Sequence, residues 1–486
     1  MPENVKLQEE TLDPQDWQEL RDLGHQMVDD MMDMLQHIRE KPVWQPIPQE
    51  VKDFFKKEAP QQPEGATQAY HDFKEQIMPR PLGNIHPRFW GWVIGTGTPM
   101  GMLADMLCAG MNFNVGGGEQ ISNQVELQVI DWCKEMLGFP AEASGLLTSG
   151  GSMANITGLT VARNTKANYN VRQEGLTDKP RMMVYASEQV HNSVDKGVEL
   201  LGLGNQSLRK IPVNADYEIE IDALKAAIQE DKAAGRFPFC IVGNAGTVNT
   251  GAIDDLNALA DIAQAEDLWF HIDGAFGSLA AVSPELRPMV RGLDRADSLA
   301  FDLHKWMYMP IEVGCTLVRF PEAHRNTFNT PASYLAYMER GMASGAWWPS
   351  EYGVQLSRNF RALKVWMSLK EHGIEKYGRV IKQNVDQVQY LVKLVEEHPQ
   401  LELMASAPLN VACFRFVADG LNDEQLSEIN KEILMQLHES GVAGPSYATL
   451  DGKFMIRVAN TNHRTRSEDF DVLVEEVVRL GNALKN

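Results

Sequence analysis

Between residues 145 and 320 the sequence alternates short apolar or β-branched runs with helical stretches, and this alternation restricts the fold more than any other feature. The runs are 182-MMVYA-186, 238-PFCIVG-243, 268-LWFHI-272, 298-SLAFDL-303 and 313-VGCTLVRF-320; residues 152–170, 189–203, 220–234 and 255–266 read as helices between or before them. Strands separated by helices of ten or more residues predict an α/β fold, a mostly parallel sheet covered on both faces. Ligands of such sheets sit at the carboxyl ends of the strands. Residues that follow these runs directly are therefore the first place to look for chemistry.

The flanks have a different character. Apolar residues at Trp17, Leu20, Met27, Met31, Met34, Leu35 and Ile38 follow a helical period after Asp13-Pro14, and proline-rich breaks at 42–48 and 59–65 separate two further short helices. Loosely joined helices of this kind predict an arm, lying on its own large domain or clasping a partner subunit. After a long helical stretch at 357–397, the tail reads as strand, strand, helix, strand, helix, a small α+β domain. The division expected is a helical N-terminal arm over 1–95, a large α/β domain over 96–370 and the small domain over 371–486.

Composition excludes several functions. The formal net charge of −21 repels phosphate backbones and anionic membranes, so no nucleic acid and no membrane is expected as partner. The N-terminus MPENVKLQEETLDPQDW lacks a signal peptide's basic region and apolar run. Five scattered cysteines form neither a disulfide framework nor a metal-binding spacing, so the expected address is the cytoplasm and no metal is expected.

Three motifs follow predicted strands. In 145-GLLTSGGSMANITGL-159 a strand leads through Ser149-Gly150-Gly151-Ser152 into a helix, where backbone N–H groups and the Ser152 hydroxyl can hold a phosphate. The segment matches neither GxxxxGK[ST] nor GxGxxG, so it gives no support to an NTPase or a dinucleotide enzyme; alone, it is equally a glycine turn with a serine cap. In 269-WFHIDGAFGSLAA-281, Asp273 follows a buried strand beside small residues and can salt-bridge a protonated ring nitrogen, although a lone acid there is also a common helix cap. In 297-DSLAFDLHKWMYMP-310, Lys305 emerges at the same sheet edge, where a lysine is costly unless paired, neutralised or used covalently. An anion site, an acid for a ring nitrogen and a Schiff-base lysine are together what pyridoxal 5'-phosphate requires.

With these motifs in hand, the sequence closely resembles the group II pyridoxal-phosphate-dependent amino-acid decarboxylases, most of all the bacterial aromatic, tryptophan-type members. TSGGSMAN, HIDGA and HKW carry the resemblance, which runs from His86-Pro87-Arg88-Phe89 to 457-RVANTNHRT-465. It implies the fold type I, aspartate aminotransferase-like architecture and a homodimer with shared active sites. Lys305 would hold the cofactor as a Schiff base and Asp273 would keep its ring nitrogen protonated. Gly151, Ser152 and His304 would hold the phosphate, and Ala275 would pack on the ring. His191, in 186-ASEQVHNSVDKG-197, would stack on the ring and touch the substrate carboxylate; Thr247 would lie near the phenolic oxygen. In 356-LSRNFRALKVW-366, Ser357 would reach the other subunit's phosphate.

The Gly- and Ala-rich segment 326-NTFNTPASYLAYMERGMASGAWWPS-350 reads as a lid. The resemblance implies that its Tyr334, with Tyr337 as a rival, protonates the substrate carbon after CO2 leaves. Family members that form aldehydes lack either this tyrosine or the stacking histidine, so their joint presence points to an amine product. Trp92, Val93 and Asn114 would line the side-chain pocket, which suits an indole or phenol. Aromatic members often carry His or Phe near Asn114, and an aromatic residue stands at Ser350 in a tryptophan-specific relative. The choice among Trp, Tyr, dihydroxyphenylalanine and Phe therefore stays open, as do a non-aromatic substrate (glutamate, histidine, diaminobutyrate) and the aldehyde product.

Overall fold

In the computed structural model, residues 10–330 and 338–485 are described. The strands are β1 (Phe89–Trp90), β2 (Ser144–Thr148), β3 (Met182–Ser187), β4 (Leu208–Ile211), β5 (Phe237–Asn244), β6 (Trp269–Asp273), β7 (Ser298–Asp302), β8 (Gly314–Val318), β9 (Leu401–Leu403), β10 (Val411–Phe416), β11 (Gly444–Leu450) and β12 (Lys453–Ala459). Seven form one sheet in the order β2-β8-β7-β6-β5-β3-β4. β3, β4, β5, β6 and β7 pair in parallel, and β8 runs antiparallel to both its neighbours, β2 and β7. Every residue of β3, β6, β7 and β8 is buried, as expected of strands covered on both faces. The predicted runs all become strands. Thr148, Ser187, Asn244, Asp273 and Asp302 finish β2, β3, β5, β6 and β7 at one edge of the sheet.

The second sheet, β1-β11-β12-β10-β9, lies in the C-terminal part. Its first strand comes from the other end of the chain: Phe89 and Trp90 pair in parallel with Gly444 and Pro445. Trp90 is fully buried, stacks on Phe470 at 4.8 Å and donates its indole N–H to Thr465 Oγ1 at 3.2 Å. Burying such a ring contributes about 4–6 kcal/mol. The packing thus ties Phe89 and Trp90, which the sequence reading places in the arm over 1–95, to C-terminal strand and helix residues. The arm's first helix, α1 (Trp17–Gln36), is capped by Asp16, whose carboxylate accepts the Gln18 N–H at 2.7 Å, three residues later than Asp13-Pro14 suggested. The stretch 357–397 is two helices, Ala362–His372 and Ile374–Glu397, because Gly373 at φ 72° ends the first. No helix among the described residues is long and apolar enough to cross a membrane.

Two core histidines make the fold sensitive to acid. His271 and His324 are completely buried, and desolvation of the charged ring pushes each down to about 3. The unfolded chain takes up protons at about 6.5, so it binds more protons than the native state below that pH, and stability falls as pH falls. Between pH 7 and pH 5 each histidine is expected to cost about 2 kcal/mol, or about 4 kcal/mol together. Urea denaturation midpoints at the two pH values measure it; equal midpoints would contradict the assignment.

Candidate active site

The strand ends meet the start of helix α2 (Gly151–Lys166) around a cavity of about 270 Å³. Seven residues expected at the site line it: Gly151, Ser152, His191, Asp273, Ala275, His304 and Lys305. A larger cavity of about 660 Å³, lined by residues of α1 and of the stretches 37–45 and 74–86, holds none of these residues.

The glycine turn is shaped by a carboxylate that the motif reading did not single out. A Cβ on Gly151 would stand 2.6 Å from Asp302 Oδ2, and one on Gly314 would stand 2.7 Å from Asp302 Oδ1 and from Gly150 Cα. Only glycines let the turn, the strand end and the acid come this close. Asp302 is buried, and its Oδ2 pairs with Lys305 Nζ at 2.9 Å, while its Oδ1 has no hydrogen-bond partner among the described residues. The lysine is thus held at the edge by the last residue of β7, three positions before it. The signal in the sequence was the acid of DLHK, placed at the end of an apolar run.

Asp273 is buried at the end of β6, where Oδ1 accepts the Ala275 N–H at 3.2 Å and Oδ2 accepts from Asn155 Nδ2 at 2.9 Å. His191 precedes the helix Asn192–Leu200, and its Nδ1 accepts the Ser193 N–H at 3.2 Å. Burial lowers the affinity of both His191 and His304 for a proton, so both rings are neutral near pH 7; nearby Asp273 and Asp302, respectively, oppose the shift. Behind the turn, Glu126 accepts the Leu147 N–H while Arg358, fully enclosed, bonds both Glu126 and the Leu147 carbonyl. This brace fixes β2 just before the glycines.

Five other expected residues are not among those lining the cavity. Thr247 is buried, with its hydroxyl 3.0 Å from that of Thr250 and accepting the Ala252 N–H at 3.1 Å, and it does not line the cavity. Its bonds close a turn. Trp92, Val93, Asn114 and Ser357 are also absent from the lining. Trp92 is 53% exposed, Val93 is buried, and Asn114 Oδ1 accepts the Arg358 N–H at 3.1 Å. Tyr334 and Tyr337 lie outside the described residues.

Residues 48–417 match the family described as the pyridoxal-dependent decarboxylase conserved domain. The chain belongs to the pyridoxal-dependent decarboxylases. An aromatic-L-amino-acid decarboxylase of Bacillus atrophaeus is 35% identical over 96% of this chain and 95% of its own length. A phenylacetaldehyde synthase of Petunia hybrida is 28% identical over 92% of this chain and 90% of its own. The crystal structure of Oryza sativa TDC with PLP and tryptamine superposes with a TM-score of 0.89 at 24% identity, over 98% of this chain and 100% of that one, and so shares the fold.

The side chains of this decarboxylase fit pyridoxal phosphate. Its cavity presents the N-terminus of a 16-residue helix, a hydroxyl and an imidazole at one place, a carboxylate at a second and a lysine at a third. The glycine turn, closed to any Cβ, leaves its backbone N–H groups bare for an anion.

Proposed function

We propose that this decarboxylase removes the α-carboxylate of an aromatic L-amino acid as CO2 and releases the amine. The observation that carries the reading is the gathering of Lys305, Asp273, His191 and the glycine cradle around one cavity at the strand ends. The Bacillus relative supports the aromatic class. When bound, pyridoxal phosphate supplies the sink for the electron pair left at Cα.

The residues divide the remaining work. Gly151, Ser152 and His304 would hold the phosphate, Asp273 would accept a hydrogen bond from the ring nitrogen, and Ala275 would pack on the ring. Lys305 would anchor the cofactor covalently, and in the free lysine Asp302 holds the ammonium at the edge, 2.9 Å away. His191, which lines the same cavity, would stack on the ring and meet the substrate carboxylate. Such positioning is where most of the catalysis comes from. Tyr334, or Tyr337, puts a proton on Cα as general acid.

The protein acts as a homodimer whose sites are completed by the second subunit. Two features support this. Met106, Leu107, Met111 and Ile121 leave large apolar surfaces 47–66% exposed on neighbouring helices. Trp92, Asn114 and Ser357, all exposed, do not line their own chain's cavity. We place the protein in the cytoplasm.

The test is an end-point assay of the pyridoxal-phosphate-loaded protein with the standard amino acids and dihydroxyphenylalanine, reading amines and aldehydes by mass spectrometry and peroxide in parallel. An aromatic amine without peroxide is expected. An aldehyde with peroxide and ammonia, as the petunia relative's name suggests for that protein, would overturn the product; an amine from glutamate, histidine or diaminobutyrate would overturn the substrate class. Tyr334→Phe is expected to divert flux to aldehyde and peroxide, and an unchanged amine yield would move the role to Tyr337.

A further inference from the structure

Five polar side chains, each at most 1% exposed, run from the cavity lining into the core: Asn155 and Ser193, which line the cavity, and His271, Ser298 and Trp269, which do not. They form one continuous set of hydrogen bonds. Trp269 Nε1 is 2.8 Å from Ser298 Oγ, which is 2.7 Å from His271 Nδ1. His271 Nε2 is 2.9 Å from Asn155 Oδ1. Asn155 Nδ2 then reaches two acceptors at 2.9 Å each, Asp273 Oδ2 and Ser193 Oγ. Ser193 Oγ ends the set 2.8 Å from His191 Nδ1.

The direction of every bond follows from the groups at the ends. A carboxylate oxygen only accepts, so the Asn155 atom facing Asp273 is the NH2 group and its oxygen faces His271. His271 Nε2 therefore carries hydrogen. Burial keeps that ring neutral, with its proton affinity pushed down to about 3, so Nδ1 is bare and accepts from the Ser298 hydroxyl. The Ser298 oxygen in turn takes the indole N–H, which can only donate. On the other branch, Ser193 Oγ accepts the second Asn155 N–H and has its own hydrogen left for His191 Nδ1. A neutral His191 then carries its hydrogen on Nε2.

The packing is built around this set. A Cβ on Gly158 would stand 2.7 Å from His271 Cε1 and 2.8 Å from its Nδ1, so the glycine makes the room that His271 fills. Gly151, Asn155 and Gly158 recur on one face of α2 at helical spacing. One helix thus presents its N-terminus to the phosphate end and Asn155 to the ring-nitrogen acid.

We propose that Asn155 is a positioning residue whose NH2 fork holds Asp273 as the acceptor for the ring nitrogen and, by turning the Ser193 hydroxyl onto His191 Nδ1 beside the Ser193 backbone N–H, reinforces His191 as an Nε2–H donor to the substrate's α-carboxylate. The proposal rests on the decarboxylase reading above.

The test reads the ring tautomers by NMR of 15N-histidine-labelled protein, with and without pyridoxal phosphate, assigning the signals with His191→Asn and His271→Gln. Both rings are expected as Nε2–H, and an Nδ1–H form at either would overturn the proposal. Asn155→Leu is expected to weaken pyridoxal phosphate binding about 10–100-fold, the worth of a charge-assisted hydrogen bond. Ser193→Ala leaves the bonds of Asp273 in place, so it is expected to keep cofactor affinity within about twofold while raising substrate KM about tenfold. Equal cofactor affinity in the two variants would overturn the branch point. Should Asn155→Leu not fold, the tautomers and Ser193→Ala still decide. A wild-type protein that decarboxylates no amino acid while both rings stay Nε2–H would remove the decarboxylase reading and leave the hydrogen-bond set intact.

Discussion

Lys305→Ala is expected to leave no cofactor that borohydride can fix to the chain, and to lower turnover of the aromatic substrate roughly 10²–10⁴-fold. Lys305 Nζ pairs at 2.9 Å with Asp302 Oδ2, whose other oxygen already lacks a hydrogen-bond partner among the described residues. Alanine therefore strands a buried carboxylate as well as removing the amine. Breaking a buried pair from one side costs about 3–5 kcal/mol, so the variant should also unfold at lower denaturant. Adding Asp302→Asn removes the stranded charge and is expected to restore most of that stability without restoring activity. Recovery of activity in the double variant, or a covalent adduct in the single one, would dismiss Lys305 as the anchor.

Asp273→Asn is expected to cost about 10²–10³-fold in kcat, the scale for removing one preorganised electrostatic partner of a reacting group. The substitution keeps shape and takes away charge. It also places an NH2 group where Oδ2 now accepts from Asn155, or else turns that group toward the Ala275 N–H. Either way a donor faces a donor, so a weakened cofactor affinity should accompany the slow turnover. A variant keeping more than about a tenth of wild-type kcat would show that the ring nitrogen needs no acid, since a tenfold loss is only about 1.4 kcal/mol.

Particular residues show what could be read without coordinates. Asp273 and Lys305 were legible because each follows an apolar run, and strands covered on both faces put their ends at one edge. Gly151 was legible because a glycine pair between strand and helix has a local cause. Asn155 and Ser193 were not singled out: their roles come from groups up to 118 residues away, and nothing in their immediate neighbours distinguishes them from a helix asparagine and a cap serine; Asp302 was passed over although its partner, Lys305, stands three residues on. Thr247 is placed at the cofactor by resemblance, and its hydroxyl bonds Thr250 and the Ala252 N–H. β1 was taken for part of the arm because two residues carry no periodicity, and their partner strand begins with Gly444-Pro445, which reads as a loop.

That strand has a consequence for how the molecule is made. Phe89 cannot find Gly444 until the ribosome has added another 355 residues, since 444 − 89 = 355. At about 5–20 residues per second, that takes about 20–70 s. Throughout that interval the indole of Trp90 has no Phe470 to lie against. A nascent chain of this protein therefore makes this native contact of Trp90 only after Phe470 has been added.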